Sequence, residues 1–100
     1  MNLFNIAFER ENMDEAERLQ NESMAIHREI GDRLGEAKSL YNLGIIAKAR
    51  GIMDEAERLY RESVRIKNGI GLPLDDWLIE NGYTDPDAEW NFPPPRGDSD

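Results

Sequence analysis

The sequence predicts an all-α protein of stacked antiparallel helix hairpins, about one and a half repeats long, closed by a C-terminal capping helix. Two observations point there. The text Met13-Asp14-Glu15-Ala16-Glu17-Arg18-Leu19 recurs as Met53-Asp54-Glu55-Ala56-Glu57-Arg58-Leu59, and aligning residues 2–31 on 42–71 gives 17 identities in 30 positions. Two unrelated helices of like composition would not approach that, so the chain carries an internal repeat. Within it Leu40, Leu43, Ile46 and Ala47 recur at spacings of three and four, the apolar stripe of an amphipathic helix rather than the alternation of a strand.

The elements follow in chain order. Position 1 aligns with Tyr41, so nothing in the first unit matches residues 32–40, and its first helix is expected to be truncated. Met1, Leu3, Phe4, Ile6, Ala7 and Phe8 make that stub apolar almost all round, and Phe4 stands where the second unit has Gly44. A helix of that kind is buried on more than one side. Either the phenylalanines fill the space of the missing turns, or Leu3, Phe4 and Phe8 dock onto another subunit. The next helix is expected to start at Asp14 and to turn Ala16, Leu19, Ser23, Ile26 and Ile30 inward.

In the second unit, Asp32 is the expected N-cap of the first helix and Gly51 its stop. Asp54, with Glu57 three residues on, is expected to cap the second helix in a capping-box-like arrangement. That helix buries Ala56, Leu59, Tyr60, Ser63, Val64 and Ile66 and ends at Asn68-Gly69. The repeats span 1–71. Residues 72–83 read as a capping segment, in which Pro73 opens a short helix over Leu74, Trp77, Leu78 and Ile79, ended by Asn81-Gly82. Residues 84–100 read as an acidic, proline-containing tail, extended and disordered. Trp90 and Phe92 stand out there, either pinning the tail to the domain or serving as a linear ligand.

The run Leu40-Tyr41-Asn42-Leu43-Gly44, followed by Gly51, Asp54-Glu55-Ala56, Leu59-Tyr60 and Ser63, resembles a tetratricopeptide repeat over residues 1–71. The family's usual period is about 34 residues. The period here resembles a longer variant found in kinesin light chains, in scaffolds for polarity and G-protein regulators, and in bacterial and archaeal regulatory arrays. The resemblance implies a non-enzymatic protein–protein interaction module or scaffold that binds a protein or peptide on the concave face of its first helices. Asn2, Asn5, Lys38, Tyr41, Asn42, Ile45 and Lys48 would line that face. Lys38 with Asn42 partly matches the carboxylate clamp of chaperone adaptors, but the third helix of a clamp is missing and the first unit lacks its lysine.

Solenoid repeats do not bury their apolar faces alone, and about three are normally needed. A chain below that count is expected to self-associate through its repeat edges as a homo-oligomer. The alternative is a terminal fragment of a larger regulatory array, such as a signalling ATPase or transcription regulator, without independent activity.

Composition narrows the function further. There is no cysteine, hence no thiolate chemistry, disulfide or cysteine-bound zinc, and the chain is compatible with a cytoplasmic location. The single histidine, His27, is expected on a solvent-facing helix surface with no second ligand for a metal. The paired carboxylates Asp14-Glu15 and Asp54-Glu55 are explained by helix starts rather than acid–base chemistry. No phosphate loop, nucleophile elbow or calcium loop is present. We therefore expect no enzyme, no cofactor and no metal.

No apolar run approaches the roughly 18 residues of a membrane span, so no membrane partner is expected. A net charge of -9 argues against nucleic acid. That charge is uneven: residues 72–100 hold eight acidic groups and one basic, while 1–71 hold 13 and 11. The repeat body is nearly neutral and the acidity belongs to the tail.

Overall fold

A computed structural model describes residues 10–93. Four helices follow one another: α1 (Arg10–Ile30), α2 (Arg33–Ala49), α3 (Met53–Ile70) and the short α4 (Asp76–Glu80). No strand occurs among the described residues. α2 is the central layer, packed against α1 on one side and α3 on the other.

The second unit folds as an antiparallel pair. Asp32 caps α2, its carboxylate accepting from the Gly35 N–H at 2.9 Å. At the far end Gly51 adopts φ +80°, a left-handed conformation that side chains resist and glycine accepts freely. The chain reverses there, and α3 returns along α2. Ala56, Leu59, Tyr60, Ser63, Val64 and Ile66 are buried as expected, and Lys67 with them. Gly44 is the point of closest approach: a Cβ there would lie 2.7 Å from the Tyr60 ring. A turn further along, Ser63 Oγ donates to the Ala37 carbonyl at 2.9 Å and leaves no buried polar atom unpaired at that crossing.

Several boundaries differ from the sequence reading. Ile52, not Asp54, is the N-cap of α3, without a side-chain hydrogen bond. Asp54 instead lies inside the first turn, where an acidic residue still favours the helix N-terminus. Glu57 does not complete a capping box, because it receives Arg61 at 2.6 Å. α3 runs through Asn68 and Gly69 and stops at Gly71, a left-handed C-cap (φ 74°).

The first unit departs more. Asp14 is not a helix start: α1 is already helical from Arg10. The residues that align with the reversal at Arg50-Gly51-Ile52 are Arg10-Glu11-Asn12. Glutamate in the place of glycine disfavours the left-handed turn, and residues 10–12 belong to α1. Of the residues expected to face inward, Ala16 is buried, but Leu19, Ile26 and Ile30 are exposed.

The C-terminal segment closes the other end. α4 stops at Asn81-Gly82 as expected, with Leu78 fully buried. Residues 84–93 are not a loose tail. Trp90 stacks on Tyr83 with centroids 4.6 Å apart, and its indole N–H donates to the Asp85 carbonyl. Phe92 contacts Tyr60 and Tyr83. Arg61 of α3 lies over the Trp90 ring and donates to the carbonyls of Pro86 and Ala88, both at 2.8 Å. Aromatic burial and a charged donor outweigh the extended preference of this proline- and aspartate-rich text. The rest of the tail lies outside the described residues.

Candidate functional site

The expected concave face divides into two grooves, one on each side of α2. Tyr41, Ile45, Lys48 and Ala49 face α3 and α4, and with Tyr60 and Trp77 they line an open groove of about 400 Å³. Successive turns of α2 bring Tyr41, Ile45 and Lys48 onto one stripe. The floor is aromatic: Tyr60 lies 5.4 Å from Tyr41 and 5.2 Å from Trp77, centroid to centroid. Lys48 Nζ sits 5.5 Å from the centroid of the Trp77 ring, within cation–π reach.

Burial, then the nearby carboxylates of Asp75 and Asp76, push the Tyr41 phenol up to about 12. Burial, then the neighbouring Tyr41, raises that of Tyr60 as well. Both phenols are therefore neutral donors at ordinary pH. The groove offers apolar and aromatic contact, a cation at the Lys48 end and acidic residues near Tyr41.

Lys38 and Asn42 lie on the other side. With Gln20, Ser23, His27 and Asp32 they line a polar groove of about 350 Å³ between α1 and α2. Lys38 and Asn42, four residues apart, thus lie on one stripe of α2 and line the groove toward α1, while Tyr41, Ile45 and Lys48 lie on the adjoining stripe and line the groove toward α3 and α4. Asn2, Asn5, Leu3, Phe4 and Phe8 lie outside the described residues.

His27 is half-buried rather than fully solvent-facing. Its ring is folded into the α1–α2 turn, where Gly35 leaves room for it. Nδ1 is 3.1 Å from an Asp32 oxygen, and Nε2 is 3.3 Å from Ser23 Oγ. Forty positions on, Lys67 reaches over the next turn to Asp75 at 3.3 Å. The two positions do the same job, bracing a helix end against an aspartate of the following segment. Trp77 and Tyr60 are not among the expected groove residues. The signal for Trp77 is the clustering of both tryptophans after residue 71.

The second surface that stands out is the outer side of α1. Leu19 is 48% exposed and Ile26 is 56% exposed, whereas their counterparts Leu59 and Ile66 are 6% and 8%. Among the described residues there is no cluster of three His, Asp or Glu that could hold a metal, and no helix long and apolar enough to cross a membrane.

The family model described as tetratricopeptide repeat matches residues 1–68. No curated protein and no solved structure matches the chain.

Proposed function

Because the chain belongs to the tetratricopeptide repeat family, a family of protein-interaction modules, we propose that it is a non-catalytic scaffold that takes a peptide in the Tyr41–Ile45–Lys48–Trp77 groove and self-associates through its N-terminal edge. The observation that supports peptide binding is the groove itself, an aromatic floor with an ammonium over Trp77. Such a site suits an extended segment bearing an apolar or aromatic side chain beside a carboxylate.

The probe is a short acidic peptide carrying one phenylalanine, followed by chemical-shift changes of the Tyr41, Lys48 and Trp77 signals. Saturable shifts that weaken about tenfold in Lys48→Glu are expected. Shifts spread elsewhere, or none at millimolar peptide, remove the groove from the reading.

The observation that supports self-association is the contrast between the ends. The C-terminal end is covered by α4 and residues 84–93, while Leu19, Ile26 and Ile30 of α1 are exposed. The same contrast supports a second reading, a terminal unit of a larger regulatory array whose neighbouring repeat would cover α1. Sedimentation equilibrium at high micromolar concentration separates the two. A dimer supports self-association; a cooperatively folded, strictly monomeric chain leaves the array reading.

A further inference from the structure

The groove that α2 forms with α3 and α4 has two unlike ends. Ser63 donates to the Ala37 carbonyl, so the C-terminal half of α3 lies against the first turns of α2. One turn beyond Ser63, Lys67 holds Asp75, the N-cap of α4. Asp75 and Asp76 are therefore set at the Tyr41 end, and with burial their charge raises the Tyr41 phenol. Lys48 lies two turns further along α2, over the Trp77 ring.

Both ends keep a charge to spare. Lys67 offsets Asp75, but Asp76 is exposed and forms no ion pair among the described residues. Lys48 meets an aromatic face rather than a carboxylate. Asp76 and Lys48 do not pair with each other, and Ile45, Tyr60 and Trp77 line the groove with apolar surface. From Tyr41 to Lys48 is about 10 Å along the helix, at about 1.5 Å per residue. An extended segment advances about 3.3 Å per residue, so it meets both ends with side chains about three residues apart.

The charges select among such segments. A segment with a carboxylate at each end would set one of them against Asp75 and Asp76, and like charges across an interface are penalised. We propose that the groove takes a bipolar segment: a basic side chain beside Asp76, an apolar or aromatic one over Tyr60 and Trp77, and a carboxylate at Lys48, about three residues from the basic one. The proposal rests on the peptide-binding reading and names the charge pattern of its partner.

The blocked peptides Lys-Phe-Ala-Asp and Gln-Phe-Ala-Asp differ in the basic side chain alone. Each is titrated into the full chain at low ionic strength and followed by the Tyr41 and Trp77 signals. The lysine peptide is expected to bind about threefold tighter, the scale of one exposed ion pair, and its advantage to vanish in molar salt. Asp76→Asn is expected to erase the difference and Asp76→Lys to reverse it, while Lys48→Glu weakens both peptides. Asp76 is exposed, and circular dichroism verifies the fold of its variants. Equal binding of the two peptides, or an advantage unchanged in the Asp76 variants, overturns the bipolar pattern alone. No saturable shift with either peptide removes the peptide-binding reading together with it.

Discussion

Met13–Leu19 and Met53–Leu59 are the same seven residues in the same kind of helix, yet they do different work. Both segments are helical and both bury their alanine, Ala16 and Ala56. Three residues after each alanine the likeness ends, with Leu59 in the core and Leu19 outside it. The local text specifies an amphipathic helix; a neighbour decides which part of the face is buried. In a repeat stack that neighbour is the adjoining helix, so stability is held at the joints between helices as much as in the helices.

The sharpest way to break the comparison is to truncate both leucines. Leu59→Ala is expected to cost about 2–4 kcal/mol, the transfer term plus the cavity left in a packed site. Leu19→Ala is expected to cost less than about 1 kcal/mol when the chain is dilute enough to be monomeric. Urea unfolding of the two variants at low concentration measures both. Equal losses would mean that the Leu19 face is covered within one chain, and the contrast between the units would fall.

How much of this was legible follows from the same logic. Periodicity showed α2 and α3 and nearly all of the α3 inner face, because those residues meet a partner encoded within the same repeat. It missed the exposure of Leu19 and Ile26, because an apolar stripe predicts a buried face only where a partner helix is also present. It placed the α3 start at Asp54 because side-chain capping is readable, whereas here the backbone of Ile52 and the left-handed Gly51 set the start. The groove was half legible. Tyr41, Ile45 and Lys48 come from one helix stripe, but Trp77 arrives through a loop whose path no periodicity records. The anchoring of residues 84–93 depends on Arg61, and nothing local to Pro86 or Ala88 announces it.

Arg61 gives the next largest effect and sharpens the comparison at the C-terminal end. Its counterpart in the first unit is Asn21. Arg61→Ala removes the hydrogen bonds to Pro86 and Ala88, the pair with Glu57 and the contact with Trp90. The expected loss is about 2 kcal/mol, from charge-assisted hydrogen bonds and a cation–π contact in a half-buried site. Tryptophan fluorescence should shift toward the solvent-exposed value and proteolysis should begin within residues 84–93. Asn21→Ala should do neither. If Arg61→Ala leaves the tail protected, the aromatic cluster alone holds the cap.

A smaller difference is expected in alkali. Residues 1–31 contain no tyrosine, whereas the second unit carries Tyr41 and Tyr60. Burial, with Asp75 and Asp76, holds the Tyr41 phenol up at about 12, against an ordinary value near 10. The folded state prefers the protonated phenol. Its contribution is complete below about pH 10 and is lost as pH rises through the folded value. The thermal midpoint should fall between about pH 10 and pH 12, and Tyr41→Phe/Tyr60→Phe should flatten that fall. A double variant that falls as steeply as the parent would show that alkaline loss arises outside the second unit.

The smallest effects should be those in which the two units agree. Arg18 donates to Glu15 and Glu22, and Arg58 donates to Glu55 and Glu62, the same ion triad repeated on the two helices. The hydrogen bond from its arginine holds each first glutamate, Glu15 and Glu55, below the usual carboxylate value of 4.5. A lowered folded value means that the contribution is present above about pH 4.5 and is lost as pH falls through the folded value. Both triads are exposed and so should be weak and sensitive to salt. Glu15→Gln and Glu55→Gln should therefore shift the midpoint at neutral pH by small and equal amounts. They should flatten the acid limb equally, and both effects should shrink in molar salt. If Glu55→Gln proved clearly larger, packing around α3 would be coupled to its surface charges. Equal shifts would place the difference between the repeats in what packs over Leu59 and Ile66 but leaves Leu19 and Ile26 exposed.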